Sequence, residues 1–275
     1  MRLRFSSLVF IRSLIFFLVL LILALVAISF LPPSVLRTLI NLWISRPPDP
    51  TPPPPTILAP HGTLPTEAVG LQEWVRFGSG DFRPMGSGFL MQLRDGTIVG
   101  VTTAHSVGDL GDPANTATTF SFQAFGREGY VAEFDTLYGP PGVPRTGDDM
   151  LVDWVLLKLN GEVDPGLVLD PDPRGGPQPG ERVIVYSGRG DGVTLGGTVQ
   201  SAESQAVWVL MDSTDYPGGM SGSPLISEHT GQVVGMAIAT APRADRYLMA
   251  FHPIGSLVAK AEAAREFPKI VEFQR

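Results

Sequence analysis

The stretch Tyr216-Pro-Gly-Gly-Met-Ser221-Gly-Ser-Pro-Leu225 sets a serine among glycines, with apolar, strand-like residues after it. Glycine reaches backbone angles that other residues avoid, so Gly218, Gly219 and Gly222 allow a sharp turn around Ser221. Such a turn can bring backbone N–H groups to one point, where they would stabilise a developing oxyanion. An ordinary Gly/Ser turn between two strands has the same composition. The two readings part on whether the chain also supplies a base and an acid to orient it.

Four histidines are available: His61, His105, His229 and His252. His105 lies in Val101-Thr-Thr-Ala-His-Ser-Val107, directly after a predicted strand and before a Gly/Asp loop. A base at a strand end is firmly held yet can reach a cleft. His61 falls in a proline-rich approach and His229 in a polar turn, whereas His252, between Phe251 and Pro253, reads as packed or pocket-lining. The acid candidate is Asp153, at the head of the apolar run Trp154-Val-Leu-Leu-Lys-Leu159. Burial is expected there, and a buried carboxylate needs hydrogen bonds, for which a histidine N–H is one suitable donor. Asp135, Asp148 and Asp149 are alternatives and read as solvated loop charges.

Taken in order, TTAHS (102–106), DWVLLKL (153–159) and GGMSGSPL (218–225) resemble the trypsin/chymotrypsin family of serine peptidases over roughly residues 70–260. GSGF (86–89), Pro179-Gly-Glu-Arg-Val183 and Gly231-Gln-Val-Val-Gly235 look like bacterial members, including the glutamyl-endopeptidase and HtrA-like branches. The resemblance implies catalytic roles for His105, Asp153 and Ser221, and an oxyanion hole formed by the N–H groups of Gly219 and Ser221. It also implies a protein or peptide substrate, no cofactor and no metal. Asp215, Ile238 and Thr240 become candidates for the substrate pocket. Asp215 matches the position that gives trypsin its basic preference, while Thr240 falls where a glycine often opens the pocket, which favours small side chains. The glutamate-selective branch uses a histidine on the strand after the nucleophile, and residues 235–239 contain none. Met220 stands where many animal members carry an aspartate that binds a freshly cleaved N-terminus, so activation by trimming is not implied. A catalytically silent protease-like binding module is the alternative, although such chains usually lose a triad residue.

Composition and pattern agree with that fold class. Gly 31 and Pro 26 favour many short strands over long helices. Strand-like runs are predicted at residues 73–77, 88–93, 97–103, 118–124, 154–159, 182–186, 194–201, 206–211 and 232–239. Arg94-Asp-Gly96 marks a hairpin turn. The Gly/Pro-rich residues 170–180 divide these strands into two halves, and 253–267 carries helical spacing. The expected architecture is all-β: two six-stranded antiparallel β-barrels of the chymotrypsin type (about 65–169 and 178–252), closed by a helix at 253–267. No cysteine is present, which excludes disulfides, thiol catalysis and cysteine-bound metals. The net charge of -7, with no basic cluster beyond the N-terminus, argues against nucleic acid as a partner.

Ahead of the peptidase-like region, residues 13–31 form an apolar run preceded by Arg2, Arg4 and Arg12. About 19 residues span roughly 28 Å as a helix, the thickness of a bilayer core. The run exceeds a signal-peptide core and ends in Phe30-Leu-Pro-Pro33 rather than a small-residue cleavage site, so an uncleaved transmembrane helix is expected. The arginines put residues 1–12 in the cytoplasm and the peptidase domain outside. Residues 34–46 read as a short helix at the membrane surface or against the domain, with Trp43 at headgroup level in the first case. Residues 47–55 (PPDPTPPPP) read as a stiff, extended part of the 32–64 linker.

Overall fold

Strand β1 (Leu71–Phe77) shows the rule that builds the first sheet. Leu71, Glu73 and Val75 are buried, while Gln72 and Trp74 between them are only partly so, as expected when alternate residues face one side. A computed structural model of the protein describes residues 62–273. The expected anchor at 13–31, the helix at 34–46, the proline spacer at 47–55 and His61 lie outside those residues. Among the described residues, no helix is long and apolar enough to cross a membrane.

The fold is all-β, with two barrel-like sheets and a C-terminal helix. The first sheet adds β2 (Phe82–Gln92), β3 (Ile98–Thr102), β4 (Ala117–Ala124), β5 (Ala132–Phe134), β6 (Thr136–Leu137), β7 (Val155–Lys158) and β8 (Val168–Leu169). Its order is β5-β4-β1-β2-β3-β7-β6, with β8 parallel to β2. This departs from a six-stranded, wholly antiparallel barrel. The two ends of the path, β5 and β6, are separated only by Asp135. One strand is bent there, so that its first half pairs with β4 and its second with β7. Counted as one bent strand, it brings six antiparallel strands round on themselves. The corner is pinned by Lys269, whose Nζ donates to Asp135 Oδ2 at 2.7 Å, and by Thr136 and Asn160. These bonds hold the Asp135 carboxyl down at about 2.

The second sheet is a closed six-stranded barrel, β10-β11-β14-β13-β12-β9. Its strands are β9 (Arg182–Tyr186), β10 (Thr194–Ala202), β11 (Val207–Met211), β12 (Pro224–Ser227), β13 (Val233–Arg243) and β14 (Arg246–Pro253). The connection between the sheets is clamped by Arg174. Its guanidinium bonds Asp172 Oδ2 at 2.6 Å and Glu181 Oε1 at 3.0 Å, while Thr230 Oγ1 reaches Asp172 at 2.8 Å.

A short helix, α1 (Ala104–Val107), follows β3, and α2 (Ile254–Ala263) follows β14. The expected helix at 253–267 is therefore too long at its C-terminal end. Pro268 disfavours helical backbone at Phe267. The chain instead runs back along the first sheet, where Gly139 N donates to Glu266 O and Leu137 N to Pro268 O. Five strands exceed the expectation: β5, β6, β8, β12 and β14. Three have only two or three residues, β12 begins at a proline, and β14 contains Leu248-Met-Ala250, whose residues favour helix.

Candidate active site

His105 stands in the single turn of α1, where β3 ends. Asp153 immediately precedes Trp154 and β7, the neighbour of β3. Its carboxylate is fully buried and grips His105 at two points. Oδ1 accepts from the His105 backbone N–H at 2.9 Å, and Oδ2 lies 2.6 Å from the ring Nδ1. One bond fixes the turn and the other fixes the ring. With Nδ1–H donated to a carboxylate, Nε2 carries the lone pair, and the side chain is about a third exposed.

Ser221 arrives from the second barrel on the turn between β11 and β12. The turn is fastened across the seam chiefly by Ser87 of β2. Ser87 N donates to Ser221 O at 3.0 Å, and Ser87 Oγ donates to Gly219 O at 3.1 Å. Ser87 O in turn accepts from Thr102 Oγ1 at 2.8 Å, three residues before His105. Gly222, at φ +93, fits so tightly that a Cβ there would sit 1.8 Å from Ser87 O. No hydrogen bond joins Ser221 Oγ to the His105 ring. Contacts of that kind often tighten only with substrate present.

Met220 N donates to Pro217 O, Gly222 N to Ala237 O and Ser223 N to Met220 O. The N–H groups of Gly219 and Ser221 have no acceptor among the described residues. Gly219 lies at φ +80, and Met220 drives a fully buried side chain into the apolar core of the second barrel. An apolar anchor occupies the position of the aspartate that many animal enzymes use.

Beside Ser221 is a pocket of about 140 Å³, walled by residues 216–219 on one side and 237–240 on the other, with Met249 between strands. Ile238 and Thr240 are among its lining residues. Asp215 is not. It is exposed and its N–H caps back to Ser213 Oγ at 2.9 Å, so no carboxylate faces the pocket. A larger cleft of about 580 Å³ lies between the β2–β3 turn, residues 170–175 and α2, and contains none of the three catalytic candidates. Among the described residues no group of side chains is arranged to hold a metal ion.

Residues 86–236 match the family described as the trypsin-like peptidase domain, over more than half of the chain. The chain belongs to that family. Its members act on protein or peptide substrates. Two solved structures are similar. The serine endoprotease from Yersinia pestis aligns at 18% identity with a TM-score of 0.48, over 71% of this chain and 62% of that one. The thermostable serine protease AL20 from an extremophilic microorganism aligns at 14% identity with a TM-score of 0.50, over 72% of this chain and 97% of that one. This chain thus spans less than two thirds of the Yersinia protein, and the likeness to AL20 is one of fold. No curated protein matches.

Several residues of the trypsin-like site escape a reading of motifs. Ser87 is visible only as the middle of GSGF, with nothing to say that it spans the seam. Glu73 could have been found, because it shares the parity of Leu71 and Val75 and must point inward. It lies fully buried beside α1. A Cβ on Gly86 would meet both Ser106 Oγ at 2.5 Å and Glu73 Oε2 at 2.8 Å. Neither Glu73 oxygen has a hydrogen-bond partner among the described residues, and the Thr102 hydroxyl donates to Ser87 O instead. Burial pushes the Glu73 carboxyl up to about 8, with the nearby Thr102 hydroxyl opposing the rise. His252 is also fully buried, and burial holds its ring down at about 4, so it stays neutral near pH 7.

Because the folded state holds the Glu73 proton more tightly than the unfolded chain, stability declines as pH rises from about 4.5 to about 8. Glu73→Gln removes that slope. Thermal melts across this window should show the variant gaining on the wild-type protein as pH rises, and parallel curves would contradict the assignment.

Proposed function

We propose that this protein is a membrane-anchored serine endopeptidase that hydrolyses peptide bonds through a Ser221–His105–Asp153 triad. The observation that carries the reading is the two-point grip of the buried Asp153 on His105, which leaves Nε2 free to act as a base. Ser221 Oγ attacks the scissile carbonyl while His105 Nε2 takes its proton. The carbonyl oxygen, now negative, is received by the unpaired N–H groups of Gly219 and Ser221. His105 then gives the proton to the leaving amine, and the acyl-enzyme is hydrolysed by water activated in the same way. Asp153 keeps the ring in one tautomer throughout and stabilises the imidazolium. With the full chain acting on an unstructured protein substrate, Ser221→Ala should lower turnover on the order of 10⁶-fold while leaving the fold intact. Unchanged hydrolysis would defeat the proposal.

The pocket supports a small apolar residue on the acyl side of the cut bond. Its lining includes Gly218, Gly219, Ala237, Ile238, Ala239 and Met249 and no charged residue, and Asp215 is exposed outside it. Cleavage of a peptide library should favour alanine or valine there over arginine, lysine or glutamate. Met249→Ala should shift acceptance toward leucine and phenylalanine. Dominant cleavage after basic residues would contradict this pocket assignment.

Anchoring rests on the apolar run at 13–31 and the arginines ahead of it. With that topology, protease added to intact cells digests the peptidase domain from outside and leaves a short membrane-bound stub. Protection until the membrane is opened would reverse the orientation.

A further inference from the structure

The glycines that let the nucleophile turn form its oxyanion hole also leave that hole weakly determined. A peptide unit is planar and trans, so the carbonyl of Gly218 and the N–H of Gly219 point in opposite directions and move together. With glycine on both sides, the whole unit can rotate at little steric cost. One orientation aims the Gly219 N–H at the reacting centre. The opposite one presents the Gly218 carbonyl there, which would repel an oxyanion. The neighbouring peptide is held because Ser87 Oγ binds Gly219 O, but that bond does not fix the Gly218–Gly219 unit. The chain has no cysteine with which to staple the loop.

What holds that unit is Arg189, on the β9–β10 turn. Its Nη1 donates to Gly218 O at 3.3 Å and reaches Tyr216 O at 3.5 Å. The guanidinium is itself oriented. Nη2 pairs with Asp191 Oδ2 at 2.7 Å, Nε donates to Ser187 Oγ at 3.3 Å, and Asp191 Oδ1 accepts from Val193 N at 3.1 Å. The Arg189 stem covers Gly219, where a Cβ would lie 3.3 Å from Arg189 Cδ. A planar, permanently charged guanidinium suits the task of holding two carbonyls of one turn while keeping its own ion pair.

We propose that Arg189 is a positioning residue for the oxyanion hole: it holds the Gly218 carbonyl outward and so aims the Gly219 N–H at the reaction. The proposal rests on the peptidase reading given above. It makes the β9–β10 turn part of the catalytic apparatus although no residue of that turn lines the pocket beside Ser221. Any partner that drew Arg189 away would lower activity without entering the cleft.

The test uses the full chain, comparing wild-type protein with Arg189→Ala and Arg189→Lys on a peptide substrate chosen from library cleavage. Arg189→Ala should lower kcat by about 10- to 100-fold, less than the loss of an oxyanion donor itself, with KM changed by less than about threefold. A peptide boronic acid forms a tetrahedral serine adduct with an oxygen in the oxyanion position, so its affinity should fall in proportion to kcat. The affinity of the cleaved acyl-side product peptide should not. Arg189→Lys should fall between the two, since an ammonium lacks the fork. Millimolar guanidinium should restore part of the Arg189→Ala rate. Unchanged kcat and boronate affinity in Arg189→Ala would overturn the proposal. So would a loss of kcat, boronate and product binding together with a lowered melting midpoint, which marks a merely structural role. Wild-type protein that cleaves no peptide would instead remove the peptidase reading beneath it.

Discussion

The seam between the barrels is set by Ser87, whose three polar backbone and side-chain groups each reach a different part of the site. Its N–H and hydroxyl hold the carbonyls of Ser221 and Gly219, and its carbonyl holds Thr102, just ahead of His105. Each such bond contributes only about 1 kcal/mol net, so their value lies less in energy than in geometry. They register the Ser221 turn of one barrel against the His105-bearing strand end of the other. The register leaves no free volume, since Gly222 touches the same Ser87 carbonyl. Everything chemical in the cleft depends on that alignment.

Two buried carboxyl groups of the first barrel have opposite outcomes. Asp153 is completely buried, yet two short bonds to a single residue compensate it, and the result is a firmly held imidazole. Glu73 is equally buried a few ångströms from the same turn without a bond of its own, so it answers burial by keeping its proton. One carboxyl is kept where its charge can orient an imidazole. The other forms a neutral polar lining under α1, and carries a cost that grows as the solution becomes more alkaline.

Much of this was legible in the residues. TTAHS, DWVLLKL and GGMSGSPL each combine a strand pattern with a candidate reactive side chain at its end, and short β-like runs between turn signals locate nine of the fourteen strands among the described residues. What stayed hidden follows from interactions remote in sequence. Ser87 and Gly219 are 132 positions apart, and nothing local to either betrays the bond. Arg189 reads as one more loop charge until its fork is seen against Gly218. Asp215 matches trypsin's specificity position by its place six residues before Ser221, but in this loop it is exposed and lies outside the pocket lining. The C-terminal helix was overextended because helical spacing continues past residue 263, where pairing with residues 137–139 and the effect of Pro268 prevail.

The central claim is that Ser221, among the several serines at this seam, is the activated nucleophile. It is tested most directly by treating the full chain with a fluorophosphonate and mapping the adduct by peptide mass spectrometry. A single adduct on Ser221, lost in His105→Ala, is the predicted result. An unmodified protein, or an adduct on Ser87, Ser106 or Ser223 with Ser221 untouched, would contradict the account.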